Sequence, residues 1–266
     1  MRRATIAFKI PAYMLLMSLI AMLVVGGFGV SQASRAYIEA MDRALSLITA
    51  AKREAVQDYL RGLDADLLTV ASAPQTVTAT RAFARGYAAL PNVAHQAQKL
   101  YVLDNPNPAG RKDLFDAASD GSEYTKTHAL YHPWFRNYRK TKEYSNILLV
   151  DAAGNVVYSV TKGLDYGTNL LSGQWSDTQL AAVYRAASAG APGEIFYARF
   201  KRYPASNEEP AAFLASPLFD GKDRVGVLVF QMPIERLNRT LAGNGGLSET
   251  GDFVLVGPDG TYRNDT

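Results

Sequence analysis

An uncharged run close to the N-terminus restricts what the first part of this 266-residue chain can become. Residues 10–30 contain no charged side chain. At about 1.5 Å of rise per helical residue, such a run can cross the roughly 30 Å hydrocarbon core of a bilayer. Arg2, Arg3 and Lys9 precede it, and positive charge beside a span indicates the cytoplasmic side. We therefore predict a transmembrane helix at residues 10–30, with residues 1–9 in the cytoplasm.

A cleaved signal peptide is the alternative interpretation of the same run, with Ser31 and Ala33 as the small residues before the cut. The apolar core of a signal peptide is usually about 7–15 residues long, which is shorter than this run. We therefore favour an uncleaved anchor in the inner membrane. Under either interpretation, residues 31–266 lie in the periplasm or otherwise outside the cytoplasm.

Apolar residues continue at intervals of three or four positions after the uncharged run, a spacing typical of a helix with one apolar face. These residues are Ile38, Met41, Leu45, Ile48, Ala55 and Tyr59. We predict a long stalk helix over residues 31–75, ended by Pro74. Two interpretations remain open. The helix packs on its own domain, or it also pairs with the same helix of a second subunit to form a homodimer.

Five short segments of alternating or β-branched apolar residues follow in the second half of the chain. Turn signals such as Gly154-Asn155 and Asp220-Gly221 separate them, and a helical pattern lies between the second and the third. The strand segments are residues 147–150, 156–161, 195–200, 212–216 and 225–232, and the helical pattern covers residues 176–189. We predict an antiparallel sheet in which the first two and the last two strands form hairpins. Residues 145–242 are thus a small α+β module with a PAS-like order of elements, preceded by a helical and loop region at residues 76–144.

Several longer motifs occur in order across about residues 95–266. They are residues 98–110, 116–124, 131–136, 155–160, 165–170, 210–217, 226–234, 247–251 and 254–260. Together they resemble the extracytoplasmic Cache-type sensor region of bacterial transmembrane receptors. One local departure is Tyr144-Ser145-Asn146, where the family usually has Tyr-Tyr-Asp. The resemblance implies a PAS-like sheet with flanking helices, in agreement with the pattern of strands.

The resemblance also implies a function, which is to sense a small molecule outside the cytoplasm and to pass a conformational signal to the membrane. Members are chiefly methyl-accepting chemotaxis receptors, whereas similar sensor regions occur on nucleotide cyclases and histidine kinases. We therefore expect a chemotaxis receptor, with a cyclase or a histidine kinase as the alternative. Residues 243–266 resemble a linker and the start of a second Cache module, so we expect the sequence to be a fragment of a longer protein.

Composition and spacing argue against several other classes of protein. The chain has no cysteine and a net charge of +3, which excludes thiolate chemistry and gives no footprint for nucleic acid. His128 and His132 could share a helix face, but no acidic residue follows at the spacing of a zinc hydrolase. Ser159 and Ser216 have no His and Asp arranged as partners. We therefore expect no catalytic site, metal or cofactor, and a membrane-anchored periplasmic enzyme is the least favoured alternative.

The ligand-binding candidates come from strand faces, from the loop after the second strand and from the segment before the sheet. Arg199 and Tyr197 share one face of the third strand, and a guanidinium beside an aromatic ring suits a carboxylate ligand. We expect the free face of the sheet to hold this small, anionic molecule. The other candidates are Tyr158 in the second strand, Asp165, Thr168 and Asn169 in the following loop, and Trp134 and Arg136 before the sheet. Ordinary structural roles compete with each of them, namely a solvated edge Arg, loop capping and core packing.

The anchor prediction has a direct test. We expect the protein extracted from membranes to keep residues 10–30, because the uncharged run is longer than a signal-peptide core. N-terminal sequencing of the extracted protein measures this. A mature start at Ser34 would show that the run is a cleaved signal peptide.

Overall fold

The computed structural model describes residues 6–206 and 209–241. Contacts between residues divide the described chain into two compact units, residues 6–55 and residues 56–241. The predicted linker and second Cache module, at residues 243–266, lie outside the described residues.

The first unit consists of the N-terminal part of one long helix, α1 (Ile6–Ser72). Residues 9–43 are all solvent-exposed, although residues 10–30 carry no charge. A helix that is apolar all round requires lipid or protein to cover it. Among the described helices, α1 is the one that is long and apolar enough to cross a membrane, in agreement with the predicted span.

Pro74 ends the first helix and begins the second, α2 (Pro74–Ala88). Ala73 has an extended backbone, and Pro74 then occupies the first turn of α2, where a missing N–H leaves no hydrogen bond unmade. α3 (Val93–Gln98) follows and continues into a short π-helix (Lys99–Leu103).

The helix before the sheet, α4 (Glu123–Lys142), has a defined beginning and end. The side-chain oxygen of Ser122 accepts a hydrogen bond from the Thr125 N–H at 3.1 Å, which caps the N-terminus. Glu143 ends the helix with a φ of 59°, in the left-handed region. The chain then enters the sheet.

The predicted five-stranded antiparallel sheet is confirmed, with strands somewhat longer or shorter than the sequence segments. The strands are β1 (Asn146–Asp151), β2 (Val156–Ser159), β3 (Phe196–Arg202), β4 (Pro210–Asp220) and β5 (Asp223–Gln231), in the spatial order β2-β1-β5-β4-β3. α5 (Gln179–Ala189) connects β2 to β3, and α6 (Ile234–Leu241) follows β5. Both predicted hairpins form, because β1 pairs with β2 and β4 pairs with β5, each antiparallel.

Helices cover both faces of the sheet, so the expectation of a free face is wrong. The α4 face packs on α1, α2 and α4 through a core that includes Leu67, Phe83, Phe135, Leu149 and Phe230. The opposite face, the α5 face, packs on α5 through a core that includes Leu148, Phe213 and Val229. A ligand must therefore enter between elements rather than lie on an open face.

Two irregularities change which side chains share a face. Val150 pairs with Val156 and Leu149 pairs with Tyr158, so Val157 is an extra residue in β2. Val156 consequently packs in the core of the α5 face, whereas Tyr158 and Val160 pack in the core of the α4 face. Val156 therefore does not share a face with Tyr158 and Val160, although strict alternation along the strand would place all three together.

A similar shift occurs in β3. Ala198 pairs with Phe213 and Lys201 pairs with Ala211, so two residues of β3 oppose one of β4. Phe200 packs against the core of the α4 face, whereas Phe196 and Ala198 pack on the α5 face. Strict alternation would place Phe200 on the same face as Phe196 and Ala198. The bulge after Ala198 instead places Phe200 on the α4 face.

The close pairing of β5 with β1 gives a testable consequence. A Cβ atom on Gly226 would lie 2.2 Å from the carbonyl oxygen of Val150, and backbone on both sides leaves little room to shift. We expect Gly226→Ala to lower the free energy of unfolding by about 1–3 kcal/mol, the usual cost of overpacking. Urea unfolding of the detergent-solubilised chain, followed by tryptophan fluorescence, measures it.

Gly62→Ala in the exposed part of α1 is the matched control for this substitution. No atom lies within 4 Å of a Cβ placed there, and Ala is the better helix former. We expect this variant to be equal to or more stable than the wild type by up to about 1 kcal/mol. Equal stability of both variants would contradict the β1–β5 register.

Candidate ligand-binding site

A cavity of about 440 Å³ opens beside the end of β2, between the loop that precedes α4 and the segment that follows β3. We call it the Lys162 cavity. Its charged lining residues are Lys112, Asp113, Arg139, Lys162, Glu209 and Glu235. A second cavity, of about 410 Å³, lies between the end of α1 and β4 and has no charged side chain among its described lining residues. The Lys162 cavity is therefore the better candidate for a polar ligand.

Lys162 is buried in a way that is unusual for a lysine. Its side chain is among the largest fully buried ones, with 1% of the residue exposed. Its Nζ lies 3.0 Å from His132 Nε2 and 3.3 Å from the carbonyl oxygen of Val160. Among the described residues, no carboxylate oxygen lies within 4.0 Å of this Nζ. A lysine is almost never fully buried unless it is paired, which makes this position a functional candidate.

The backbone at Lys162 is held in a strained conformation. Its φ is 55°, in the left-handed region, which typically costs about 1–3 kcal/mol for a non-glycine residue. Asn146 holds the corner, because its Oδ1 accepts from the Thr161 N–H at 3.1 Å and its Nδ2 donates to Ser159 Oγ at 2.9 Å. Ser159 Oγ in turn accepts from the Lys162 N–H at 3.3 Å. These hydrogen bonds fix where the lysine side chain enters the cavity wall.

His132 connects Lys162 to the second strand and to the loop before α4. Its Nδ1 lies 2.7 Å from Tyr158 Oη, and its Nε2 lies 2.7 Å from the carbonyl oxygen of Asp113. A carbonyl oxygen only accepts, so the network assigns the proton to Nε2, and the Tyr158 hydroxyl donates to Nδ1. Lys162 Nζ then faces an N–H donor. An ammonium has no lone pair to accept from it, whereas a neutral amine has one.

Burial agrees with this protonation pattern. It lowers the pKa of Lys162 to about 7, an effect that Asp113 and Asp116 oppose and that Arg136 and Arg139 reinforce. Burial, and then the charge of Lys162, lower the pKa of His132 to about 3. The His132 ring is therefore neutral at physiological pH.

His128 and His132 lie side by side on α4, as their spacing predicted, with ring centroids 4.4 Å apart. His128 Nδ1 donates to the carbonyl oxygen of Asp116 at 2.6 Å, and burial holds the pKa of this ring well below its usual value. Its Nε2 is buried and has no partner among the described residues. Among residues 6–206 and 209–241, no group of three or more acidic or His side chains is arranged to hold a metal ion.

Two arginines and two aspartates close the side of the site that faces α4. Arg136 Nη1 lies 2.5 Å from Asp116 Oδ1 and also donates to the Asp113 carbonyl oxygen at 3.1 Å. Arg139 Nη2 lies 3.1 Å from Asp113 Oδ2. Arg139 lines the cavity and its side chain is one-fifth exposed, so it can contact a ligand without breaking its pair with Asp113.

Two of the sequence-predicted residues contact groups of this site, although neither lines the Lys162 cavity. Tyr158 is fully buried and bonds His132, and Arg136 bonds the loop that carries Asp113 and Asp116. Trp134 lies on the same helix, but its ring stacks on Tyr138, with centroids 5.3 Å apart.

The predicted loop residues are not among those that line the cavity. Asp165 is buried, accepts a hydrogen bond from the Tyr203 hydroxyl at 2.8 Å, and has a pKa that burial raises to about 6. Thr168 donates to the Asp165 carbonyl oxygen at 2.7 Å. Asn169 binds the backbone N–H groups of Leu171 and Ser172, which is ordinary loop capping.

The two residues predicted on the third strand, Tyr197 and Arg199, lie outside the Lys162 cavity. Tyr197 is half exposed, and its hydroxyl donates to Asp64 on α1. Arg199 is exposed on β3, and neither residue lines the Lys162 cavity. Their role in ligand binding stays a prediction.

Sequence reasoning missed Lys162, Arg139 and Asp113, and gave His132 no role in a ligand site. One local signal was present, because Lys162 directly follows the apolar alternation of Tyr158 and Val160. A lysine that continues an apolar face is a candidate for burial. The partners that define the site come from α4 and its preceding loop, and no spacing in the sequence indicates them.

Comparisons with known proteins give partial likeness to solved ligand-binding and sensor domains. No protein-family model matches the chain, and no curated protein sequence is significantly similar to it. Among solved structures, the ligand-binding domain of the Pseudomonas fluorescens chemoreceptor CtaA with L-isoleucine is 15% identical with a TM-score of 0.47, over 87% of this chain and 71% of that one. The ligand-binding domain of the Campylobacter jejuni chemoreceptor Tlp3 with L-norvaline is 15% identical with a TM-score of 0.44, over 86% and 70%.

The sensor domain of the Vibrio cholerae histidine kinase DctB is 13% identical with a TM-score of 0.36, over 61% of this chain and 56% of that one. The chain therefore spans just over half the length of the DctB domain. At these identities and TM-scores the likeness says nothing about ligand or output. The α+β architecture and the strand order observed here agree with the Cache-type sensor fold that the sequence motifs resemble.

The protonation state of Lys162 can be tested through stability. Because its pKa is about 7 in the folded chain and about 10.4 in an unfolded one, the unfolded state binds more protons between these values. Stability from this group is therefore lost as pH falls toward 7 and gained as pH rises. We expect the free energy of unfolding of the wild type, minus that of Lys162→Met, to rise by up to about 1.4 kcal/mol per pH unit between about pH 7 and 9.

Urea unfolding at several pH values measures this difference. Lys222→Met is the matched control, because Lys222 is exposed in the turn between β4 and β5. Its difference from the wild type should not change over the same range. A flat difference for Lys162→Met would show that the buried amine keeps an ordinary pKa.

Proposed function

We propose that this chain is the extracytoplasmic sensor region of a bacterial transmembrane receptor and that it binds a small molecule in the Lys162 cavity. The observation that carries the proposal is the burial of Lys162 at the wall of a 440 Å³ cavity, in a PAS-like sheet that follows an apolar N-terminal helix. Burying a lysine side chain without a carboxylate partner lowers stability, so its presence at a cavity favours a functional role over a structural one.

The ligand that fits best is a small carboxylate. Arg139 lines the cavity, and its Nη1 already donates to the carbonyl oxygens of Tyr144 and Ser145 while its Nη2 donates to Asp113 Oδ2. A carboxylate would therefore pair with this guanidinium through the remaining hydrogen of Nη2. Lys162 lies in the same wall, and a bound anion would favour its charged form. The acidic rim residues, Glu209 and Glu235, would repel a second anionic group unless the ligand also carries a donor toward them.

A second part of the proposal concerns the kind of receptor to which this sensor region belongs. We favour a chemotaxis receptor, on the sequence motifs described above, over a nucleotide cyclase or a histidine kinase. The sequence encoded downstream distinguishes them, because a chemotaxis receptor continues into a long heptad hairpin and the others into a catalytic domain. In either case we propose that this region binds its ligand without turning it over, and that it acts as a membrane-anchored homodimer through α1.

A thermal-shift screen of small carboxylates against the full chain in detergent should find compounds that raise the melting temperature. Titration calorimetry with the best compound then tests the site. We expect Lys162→Met and Arg139→Gln each to weaken binding roughly 10- to 150-fold, since a hydrogen bond to a charged group contributes about 1.5–3 kcal/mol.

Arg199→Ala discriminates between the cavity and the strand face predicted from the sequence. Binding in the Lys162 cavity leaves affinity unchanged in this variant, because Arg199 does not line that cavity. A roughly 10- to 150-fold loss in Arg199→Ala, with wild-type affinity in Lys162→Met, would instead move the site to β3.

A further inference from the structure

We infer that Lys162 captures its ligand covalently and reversibly, by forming an imine with the carbonyl group of a small 2-oxo acid. The inference rests on the proposed function and deepens it, because it names the ligand class of the same cavity. It requires a neutral amine, room for a ligand beside that amine and a partner for the carboxylate. The structure supplies each of these requirements.

The neutral amine follows from the contacts of His132. The Nε2–H that donates to the Asp113 carbonyl oxygen also lies 3.0 Å from Lys162 Nζ, and only an uncharged nitrogen has a lone pair to face it. The same lone pair is the nucleophile in imine formation. A lysine desolvated in this way is the usual form of an amine nucleophile in proteins.

The groups around Lys162 come from every element that packs against it. They are His128, His132, Arg136 and Arg139 on α4, Asp113 and Asp116 in the preceding loop, and Tyr158 on β2. The two arginines disfavour the ammonium and the aspartates of the loop favour it, but burial is the larger effect and lowers the pKa to about 7. Asp113 and Asp116 are themselves paired with Arg139 and Arg136, which limits their ability to charge the lysine.

The cavity fits a 2-oxo acid better than a simple aldehyde. Lys162 and Arg139 line the same cavity, so the carbonyl carbon can approach Nζ while the carboxylate pairs with the guanidinium. The volume of about 440 Å³ lies in the range of small-molecule pockets. An aldehyde without a carboxylate would leave Arg139 without a ligand partner.

The chemical step balances without an added oxidant or reductant. The Nζ lone pair adds to the carbonyl carbon, and an N–C bond forms as the C=O double bond becomes a C–OH group. That oxygen then leaves as water, which takes both amine hydrogens and leaves a C=N bond. Both nitrogens of His132 are occupied, since Nε2 carries the hydrogen that faces the amine and Nδ1 accepts from Tyr158, so the amine protons pass to the departing oxygen within the cavity and not through the imidazole.

The selectivity for Lys162 over other lysines can be estimated. At pH 7 about half of the Lys162 side chains are neutral, whereas an exposed lysine of ordinary pKa is neutral in only about 0.04% of molecules. The fraction of side chains that carry a neutral, nucleophilic amine is therefore roughly 10³-fold larger at Lys162 than at an exposed lysine. The α-amino group also titrates near neutral pH, so the position of any adduct must be determined.

The experiment uses the full chain in detergent, with pyruvate as the probe and sodium cyanoborohydride to reduce an imine to a stable amine. Intact mass and peptide mapping at pH 7 then report the amount and position of the adduct. We expect the peptide containing Lys162 to be modified at least about 100-fold faster than the peptide containing the exposed Lys222. We expect Lys162→Arg to abolish that adduct, and Arg139→Gln to slow its formation about 10-fold or more.

Two outcomes would overturn the inference. One is modification of Lys162 at the same rate as Lys222 in the wild-type chain, a result that needs no variant to fold. The other is an unchanged rate in Arg139→Gln, which would remove the 2-oxo acid as the ligand class.

The trapping result is separable from the proposed function. If calorimetry finds a carboxylate whose binding depends on Lys162 but no imine is trapped, the sensor proposal stands and covalent capture is rejected. If Lys162 is trapped selectively and Arg139→Gln slows the reaction, but no compound binds in the screen, covalent capture stands and the proposed sensor function loses its support.

Discussion

The structure depends on the pairing of β1 with β5, which is the central strand of the sheet. All six residues of β1 are buried, and each has a partner on β5, from Asn146 opposite Gln231 to Asp151 opposite Gly226. Alternate β1 side chains enter the two cores, with Leu149 on the α4 face and Leu148 on the α5 face. This pairing fixes one register for the whole sheet, because a shift by one residue would exchange the two sets of side chains. It also fixes where Asn146 lies, and Asn146 holds the corner from which Lys162 enters the cavity.

The candidate site therefore joins two parts of the fold that are separate in sequence. The sheet contributes Tyr158 and the strained corner at Lys162, and α4 contributes His132 and Arg139. Neither part makes a site alone, because the buried amine needs the imidazole beside it and the cavity needs the α4 side as a wall. Burying Lys162 and holding it at a φ of 55° lowers the free energy of unfolding of the domain. The two helix-covered cores supply the compensating burial of apolar surface.

The fold could be predicted from the sequence to the extent that its signals are local. Apolar alternation and turn residues such as Asp220-Gly221 specify strands and hairpins within a few positions, and Pro74 acts on its own neighbours. The two bulges could not be predicted, since one extra residue at Val157 changes which face Tyr158 shares without changing the composition of the strand. The site could not be predicted for a different reason. The contact between Lys162 and His132 joins residues 30 positions apart, and no periodicity specifies which helix face meets the end of which strand.

α4 also connects the candidate site to α1 within the second unit. One of its ends carries Lys142, whose Nζ lies 2.8 Å from Asp66 Oδ1 on α1, and the neighbouring Tyr144 hydroxyl donates to Asp66 Oδ2 at 2.9 Å. Both Asp66 oxygens are thus engaged by groups at the end of the helix that bears His132 and Arg139. Because a helix is stiff along its length, a displacement of α4 at the cavity must be absorbed in its packing on the sheet and on α2, or at Asp66. The packing on the sheet is the more costly to change, since Phe135 on α4 is fully buried. The half-exposed pair between Lys142 and Asp66 is the weaker contact, and it is the one that touches the helix bearing the apolar N-terminal run.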